Sequence, residues 1–243
     1  APISATPFAT GGTAWPLTLL GPTPTIAFMR VGFFTLHDTS DGAQLGITPG
    51  RAIYGSLAAD INDDTAQDLL ASAQIFGRWY AIAQSTAVLW QQLTISTATA
   101  NARYTGSGAS LVTSPQGDFL VEGRVARLAI DHNFVVLNAA TGAILHKLNL
   151  GGGQIALSAP GVPAARSIGP GVGLSGDFAH YIASDDQGFV YILDLEAPTD
   201  APDYPQNMLL SVIPTGAPAD NISAADIDGD GFVEVAVPTG DGY

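Results

Sequence analysis

Short apolar segments alternate with turn-forming residues along most of this chain. Aromatic and β-branched runs occupy residues 34–38, 134–138 and 189–194, and each is bounded by Gly, Asp or Asn. Such runs are typical of β-strands and hairpins. Sustained helical periodicity is nearly absent, and residues 65–73 come nearest to it. The pattern therefore predicts an all-β chain.

One sequence element recurs along the chain. An aspartate followed by an apolar residue stands at Asp60, Asp118, Asp177 and Asp226, which are 58, 59 and 49 positions apart. Each copy leads into a short apolar run and then, beyond a turn, into a second one. A unit of about four strands cannot bury both faces of its sheet alone, so its repetition favours a β-propeller. We predict about four four-stranded blades; a two-sheet sandwich is the alternative.

The two ends of the chain carry complementary halves of one blade. The last unit stops after its second strand, whereas residues 26–49 show a third- and fourth-strand pattern without a leading aspartate. The N-terminal strands are therefore predicted to complete the last blade, either in the same molecule or in a neighbouring one. The resulting single domain, residues 26–243, has units near 50–110, 111–168, 169–218, and 219–243 plus 26–49.

Residues 1–25 do not belong to the repeat. They contain five prolines and an apolar stretch at residues 15–20. We interpret them as an apolar, Pro-rich N-terminal arm that packs on its own propeller or adds a strand to a partner's sheet. The candidate assembly residues are Trp15, Leu17, Leu19 and Leu20.

Composition narrows the range of partners. The net charge is −14, and Lys147 is the only lysine. A surface of this kind does not suit a nucleic-acid backbone or an anionic membrane, and it favours cations. No apolar run is long enough for a membrane helix, and without cysteine the chain has neither disulfides nor thiolate metal ligands.

The segment 226–234 has the strongest chemical signature. Its acids Asp226, Asp228, Asp230 and Glu234 stand at positions 1, 3, 5 and 9 of a loop with glycines at positions 4 and 6. Ca²⁺ prefers six to eight hard oxygen ligands, and glycines let the backbone curl around an ion. The carbonyl of Phe232 is a further candidate ligand. An EF-hand would need Glu at position 12, where Val237 stands, so the loop is predicted to join strands.

The same spacing occurs in segment 60–68. The candidate ligands are Asp60, Asn62, Asp64, Asp68 and the carbonyl of Ala66. Asn62 removes one charge, which predicts a weaker site. The segments after Asp118 and Asp177 lack this spacing, and in those units the aspartate is predicted to cap a turn.

These loops and the strands after them resemble the FG-GAP/VCBS repeats of integrin-type β-propellers. The resemblance covers residues 50–243 in four units, and the Asp-x-Asp-x-Asp-Gly-x-x-Glu form at 226–234 carries most of it. It implies an extracellular or cell-surface location, calcium at the periphery of a blade, and roles in adhesion, ligand binding or support of a catalytic neighbour. Propellers of this group usually have seven blades.

The chain shows no recognisable catalytic motif. It has neither a Gly-x-Ser-x-Gly elbow nor a His-Glu-x-x-His sequence, and its four histidines lie in different repeats. We expect these histidines at the surface or in turns, and the pair Asp185-Asp186 in a solvated turn. Trp15, Trp79 and Trp90 are interpreted as packing residues, with a sugar-stacking platform as the alternative.

These observations favour a non-enzymatic, extracellular, calcium-stabilised protein with a structural or self-assembling role. The assembly that we consider first is a filament. The expected partners of the protein are copies of itself or other surface proteins. A monomeric adhesion module that binds glycans is the first alternative, and a propeller associated with an enzyme is the second.

Overall fold

The structure is a computed structural model of the chain. It describes residues 15–22, 24–30, 33–49, 53–73, 78–94, 106–124, 132–157, 168, 171–219, 222–230 and 232–240. The chain divides into two compact units: an N-terminal unit of residues 1–94 and 140–142, and a C-terminal unit of residues 95–139 and 143–243. Within the described ranges, no helix has the length and apolar character needed to cross a membrane.

The N-terminal unit holds two antiparallel sheets whose strands follow chain order. The first sheet contains β1 (Trp15–Leu19), β2 (Thr25–Arg30), β3 (Phe33–Asp38) and β4 (Gln44–Pro49). The second sheet contains β5 (Ile53–Ala59), β6 (Asp68–Ala73), β7 (Arg78–Ile82) and β8 (Val88–Leu93). One apolar cluster joins the two sheets, since Leu19 and Leu36 pack with Leu69 and Ile82.

The C-terminal unit holds three sheets in its described part, and their strands also follow chain order. The third sheet contains β9 (Gly106–Ser114), β10 (Gly117–Arg124), β11 (Phe134–Asn138), β12 (Ile144–Gly151) and β13 (Gln154–Leu157). The fourth contains β14 (Val172–Leu174), β15 (His180–Ser184), β16 (Phe189–Asp194) and β17 (Leu209–Pro214), with a 3₁₀ turn at Gln206–Met208 before β17. The fifth contains β18 (Ser223–Ala225) and β19 (Glu234–Ala236).

Apolar side chains fill the space between these three sheets. Phe134 of the third sheet and Tyr181 of the fourth are almost fully buried, and their ring centroids are 5.7 Å apart. Ile182 and Val190 of the fourth sheet pack with Ile222, which precedes β18. Each fully buried side chain of this size contributes about 1.5–3 kcal/mol to stability.

The hairpins between third and fourth strands share one irregularity. Their register shifts near the end of the third strand, between Leu36 and His37, Ala81 and Ile82, Val136 and Leu137, and Ile192 and Leu193. A β-bulge of this kind increases the local twist. A common bulge in sheets of divergent sequence confirms the internal repeat.

The aspartates of the repeat lie near the start of the second strand of each sheet. Asp60 follows β5, Asp177 lies between β14 and β15, and Asp226 follows β18, whereas Asp118 is already the second residue of β10. The predicted units 50–110, 111–168 and 169–218 correspond to the second, third and fourth sheets, although the boundary at 110 falls inside β9.

The N-terminal strands differ from the prediction. β3 and β4 are third and fourth strands as expected, but β1 and β2 supply the first and second strands of the same sheet. The prediction that these strands complete the last blade is therefore wrong. Residues 15–19 pair locally with β2 through a short connection, which closes a small loop at low entropic cost. Pro16 is tolerated because β1 is an edge strand of its sheet.

The interpretation of residues 15–20 as a separate arm is wrong for the same reason. Leu19, a candidate assembly residue, is fully buried in the core that joins the first two sheets. Leu20 is 59% exposed, but both of its backbone polar groups are hydrogen-bonded within the N-terminal unit. Trp15 and Leu17 belong to β1, and their side chains lie outside the described part, as do residues 1–14 entirely.

Candidate calcium-binding loops

The two Asp-rich segments occupy the same place in their sheets. Ala59 pairs with Asp68 where the first loop joins β5 to β6, and Ala225 pairs with Glu234 where the second loop joins β18 to β19. Position 9 of each motif is therefore the first residue of a second strand. This confirms that the motif at 226–234 joins strands.

In the first loop, residues 60–68, side-chain oxygens accept hydrogen bonds from backbone N–H groups further along the loop. Asp60 accepts from Asp64 at 3.1 Å through Oδ1 and from Thr65 at 2.8 Å through Oδ2. The Oδ1 of Asn62 also accepts from Asp64, at 3.0 Å, and the Oδ1 of Asp64 accepts from Ala66, at 2.9 Å. These bonds turn the side chains at positions 1, 3 and 5 toward the loop's own backbone.

The second loop, residues 226–234, repeats this arrangement. Its position-5 N–H, on Asp230, donates to Asp228 at 3.2 Å, and its position-7 N–H, on Phe232, donates to Asp230 at 2.8 Å. The position-1 carboxylate of Asp226 accepts from Gly229 at 2.7 Å. The two loops therefore share the hydrogen bonds donated by positions 5 and 7, whereas position 1 accepts from position 4 here and from positions 5 and 6 in the first loop.

Position 9 is held in the same way in both loops. The N–H of Ile227 donates to Glu234 at 2.6 Å, and the N–H of Ile61 donates to Asp68 at 3.2 Å. In each case the N–H belongs to position 2. The carboxylate at the start of the second strand is thus drawn back over the loop.

Position 4 adopts a left-handed backbone in both loops. Its φ is 77° at Gly229 and 60° at Asp63. Glycine tolerates this region freely, whereas Asp63 is strained there. Thr65, at position 6, has a φ of 72°, and its counterpart Gly231 lies outside the described residues. At position 4 the first loop therefore has an aspartate in a backbone conformation for which the second loop has glycine.

Asp68 is the most unusual acid of the first loop. Its side chain is fully buried, and its Oδ1 has no hydrogen-bond partner. Burial, together with the nearby charges of Asp64 and Asp60, raises the pKa of Asp68 to about 6. A buried carboxylate oxygen without a donor is costly, and a bound cation would compensate it.

The second loop draws three carboxylates together. Oxygens of Asp226, Asp228 and Glu234 lie within 4.8 Å of one another. Calcium–oxygen distances are about 2.3–2.6 Å, so ligands on opposite sides of one ion are about 5 Å apart. This spacing fits a calcium ion. Asp230 is not in the group, and among the described residues no other set of three acids converges this closely.

The third and fourth sheets connect their first two strands differently. In the third sheet, Ser114 rather than Asp118 accepts the turn N–H, from Gln116 at 3.1 Å. Asp118 itself lies in β10, so its predicted turn-capping role is wrong. In the fourth sheet, the connection presents Phe178, which is 65% exposed and stacks on His180 with an interplanar angle of 7°.

Two buried polar groups were missed in the sequence. Asp185 is fully buried; its Oδ2 accepts from the hydroxyl of Tyr191 at 2.6 Å, and its Oδ1 accepts from the N–H groups of Gln187 and Phe189. The expectation of a solvated turn at Asp185 is therefore wrong. The surrounding sequence, Ser184 to Gly188, consists of polar and turn-forming residues and therefore did not predict that Asp185 is buried.

His146 is likewise buried rather than at the surface. Its Nε2 lies 3.0 Å from the carbonyl oxygen of Leu195, and its Nδ1 lies 3.2 Å from the hydroxyl of Tyr204. Burial lowers the pKa of His146. The sequence signal for this burial was the strand pattern of residues 144–151. Alternate residues of a strand face inward, and His146 and Leu148 lie on the same face of β12.

Comparison with known proteins supports the fold but not a narrower family. No family model and no curated protein matches the chain. Among solved structures it is similar to the Dos1 propeller, with a TM-score of 0.57 and 15% identity over 86% of this chain and 50% of that one. It is also similar to BBS1N, crystallised in complex with ARL6DN and soaked with lead, with a TM-score of 0.53 and 11% identity over 96% of this chain and 67% of that one.

These neighbours support the predicted all-β propeller class, which is confirmed. The described residues form five sheets rather than the predicted four, because the N-terminal strands form a sheet of their own. The chain spans about half the length of the Dos1 propeller chain that it matches. At such low identity the likeness is one of fold alone. The FG-GAP/VCBS type of repeat stays a prediction.

Proposed function

We propose that this chain is a non-enzymatic β-propeller stabilised by calcium at two loops. The observation that carries the proposal is the buried, unpartnered Oδ1 of Asp68 beside Asp60 and Asp64. The convergent carboxylates of Asp226, Asp228 and Glu234 support it independently.

The ion in the first loop would be held by Asp60, Asn62, Asp64, Asp68 and the carbonyl of Ala66. The ion in the second loop would be held by Asp226, Asp228, Asp230, Glu234 and the carbonyl of Phe232. A bound ion supplies positive charge where carboxylates repel one another, so each loop would cross-link the first and second strands of its sheet.

An extracellular or cell-surface setting suits these sites. The acids of the second loop are largely exposed, and the first loop has an amide at position 3. Open sites with reduced ligand charge bind calcium in about the 10⁻⁴–10⁻³ M range, which is filled outside cells.

We further propose that the protein has a structural role and associates with copies of itself through β17. The outer strand β17 exposes Leu210 and Ile213, which are 50% and 48% accessible, and in the described residues it pairs with β16 alone. Apolar edge strands favour strand-to-strand association with another copy. Leu210→Lys together with Ile213→Lys should abolish self-association seen by light scattering, because charge blocks edge pairing. If association of the double variant equals that of the wild type, this interface is excluded.

A calcium titration followed by thermal unfolding tests the metal proposal. Calcium that binds the folded state alone raises stability, by about 2.7 kcal/mol at one hundred times Kd. Asp68→Asn and Asp228→Asn should each remove part of this gain. Asp200→Asn, which changes an exposed acid outside both loops, is the matched control. An unfolding curve of the wild type that is identical in calcium and in chelator would contradict the proposal.

A glycan-binding module is a second candidate, and one observation favours it. The exposed ring of Phe178, stacked on His180, offers a flat apolar surface of the kind that sugars pack against. A platform that includes Trp79 is excluded, since its side chain is 1% exposed. Binding to a glycan array that Phe178→Ala abolishes would support this candidate, and an array without signal would count against it.

A further inference from the structure

Gln67 stands at position 8 of the first loop, between the candidate ligands Ala66 and Asp68. It makes two hydrogen bonds to a single residue of the first sheet. Its backbone N–H donates to the carbonyl oxygen of Leu20 at 2.7 Å, and its side-chain Oε1 accepts from the N–H of Leu20 at 2.8 Å. Both backbone polar groups of Leu20 are thereby satisfied by the loop.

The segment after β1 fits closely against the same loop. The side chain of Gln84, in the β7–β8 turn, donates to the carbonyl oxygen of Leu20 at 2.9 Å. A Cβ placed on Gly21 would lie 3.0 Å from the Cα of Ala66 and 3.0 Å from the amide group of Gln84. Leu20 and Gly21 therefore lie in close contact with the loop and with Gln84.

The C-terminal unit contains a similar pair of bonds without an Asp-rich loop. Between the third and fourth sheets, the N–H of Gly176 donates to the carbonyl oxygen of Thr113 at 3.1 Å, and the N–H of Thr113 donates to the Oγ of Ser175 at 2.9 Å. Here too, a residue near the end of a first strand is held by the connection in the next sheet. This link is built from ordinary turn residues and provides an internal reference.

We infer that Gln67 is a positioning residue that couples ion binding in the first loop to the docking of the first sheet on the second. The inference rests on the proposed function. An ion that orders residues 60–68 also orders Gln67, and Gln67 holds Leu20 at the start of the β1–β2 connection. Because coupling between two events is reciprocal, the docked first sheet must in turn strengthen ion binding.

The test measures calcium affinity in a chain with one working loop. In an Asp228→Ala background, titration calorimetry follows calcium binding to the first loop alone. Gln67→Ala should weaken this affinity by about fivefold or more, the usual size of a coupling between sites. Gly21→Ala should act in the same direction although it changes nothing in the loop, because its methyl group crowds Ala66.

The second loop provides the matched control. Its position 8 is Val233, which is 48% exposed. In an Asp68→Asn background, Val233→Ala should leave the calcium affinity of the second loop unchanged. A loss equal to that of Gln67→Ala would mean that position 8 acts within the loop rather than through the first sheet, and this would overturn the inference.

Hydrogen exchange separates failure of the inference from failure of the proposed function. In the wild type, calcium should slow exchange in residues 60–68 and also in β1 and β2, while β9 stays unchanged. In Gln67→Ala, protection of residues 60–68 should remain and that of β1 and β2 should be lost. Protection of the loop alone in the wild type overturns the coupling and leaves the calcium proposal intact, whereas no calcium effect anywhere overturns the calcium proposal.

Discussion

The two Asp-rich loops share a hydrogen-bond pattern but differ in their surroundings. The first loop belongs to a four-stranded sheet, and its position-2 residue, Ile61, is 5% exposed. Within the described residues the second belongs to a two-stranded sheet, and its position-2 residue, Ile227, is 72% exposed. Backbone conformation is thus local to the motif, whereas the energetic role of each side chain depends on what packs around the loop.

The contrast extends to the acids. Asp68 is buried, its Oδ1 has no hydrogen-bond partner, and burial raises its pKa to about 6. The second loop brings three carboxylates together nearer the solvent, where water screens them. We therefore expect calcium to act mainly on the stability of the N-terminal unit and only locally at the second loop.

The largest expected difference concerns the apolar residue at position 2. Ile61→Ala should lower the free energy of unfolding by about 2–5 kcal/mol, because it leaves a cavity in a packed site. Ile227→Ala should change it by less than about 0.5 kcal/mol, as for other exposed positions. Urea unfolding in excess calcium gives the free energy of unfolding of both variants. Equal losses would contradict the view that position 2 is packed in the first loop and exposed in the second.

The next effect concerns the carboxylate at position 9. In calcium at one hundred times Kd, Asp68→Asn should forfeit most of about 2.7 kcal/mol of ion-linked stability. In chelator the substitution should instead raise stability, because the amide replaces a buried carboxylate whose Oδ1 has no donor. Thermal unfolding of Asp68→Asn and Glu234→Gln, each with calcium and with chelator, checks this. A destabilised Asp68→Asn variant in chelator would contradict the account of Asp68.

A smaller effect is expected when the first loop is given the charge of the second. The Nδ2 of Asn62 donates to Asp64 at 3.2 Å, and Asn62→Asp replaces this bond with repulsion in the ion-free state. The added carboxylate should raise calcium affinity by roughly tenfold, since ligand charge tunes such sites. Calorimetry in the Asp228→Ala background gives the value, and an unchanged affinity would mean that Asn62 does not face the ion.

The smallest effect concerns the backbone at position 4. Gly229→Ala should destabilise the second loop by about 1–2 kcal/mol, because a Cβ is disfavoured at positive φ. Asp63→Gly relieves the same strain in the first loop and partly loses that gain to the greater freedom of glycine in the unfolded chain, so a gain below about 1 kcal/mol is expected. Both follow from unfolding in chelator, and a destabilised Asp63→Gly variant would show that Asp63 makes a stabilising contact.

Much of the fold could be predicted from sequence, because turns and strand patterns are local. The apolar runs after Asp60, Asp177 and Asp226 are strands as predicted, and the third and fourth strands were recognised, including β3 and β4. The pairing of β1 with β2 was missed because Pro16 and its proline-rich surroundings look unlike the strands of the repeat. An edge strand needs hydrogen bonds on one side only, which is why the proline is accepted.

The candidate sites were also predicted in part. The spacing of oxygen-bearing side chains at positions 1, 3, 5 and 9 predicted two similar loops. The hydrogen bond from the position-5 N–H to the position-3 side chain occurs in both. The burial of Asp68, and likewise of Asp185 and His146, could not be predicted, since it depends on segments far away in the chain. The calcium ions themselves stay a prediction.

The sequence by itself determined most of the strands, the turns and the hydrogen bonds that the two loops share, because neighbouring residues settle backbone geometry through sterics and short-range hydrogen bonds. The tertiary structure alone decided which loop is buried and which residues link one sheet to the next. Gln67 shows why: nothing near it in sequence indicates Leu20, 47 positions away, as the partner of its side chain. Burial and long-range hydrogen bonds depend on which surfaces meet when the sheets pack, and a local pattern does not contain that information.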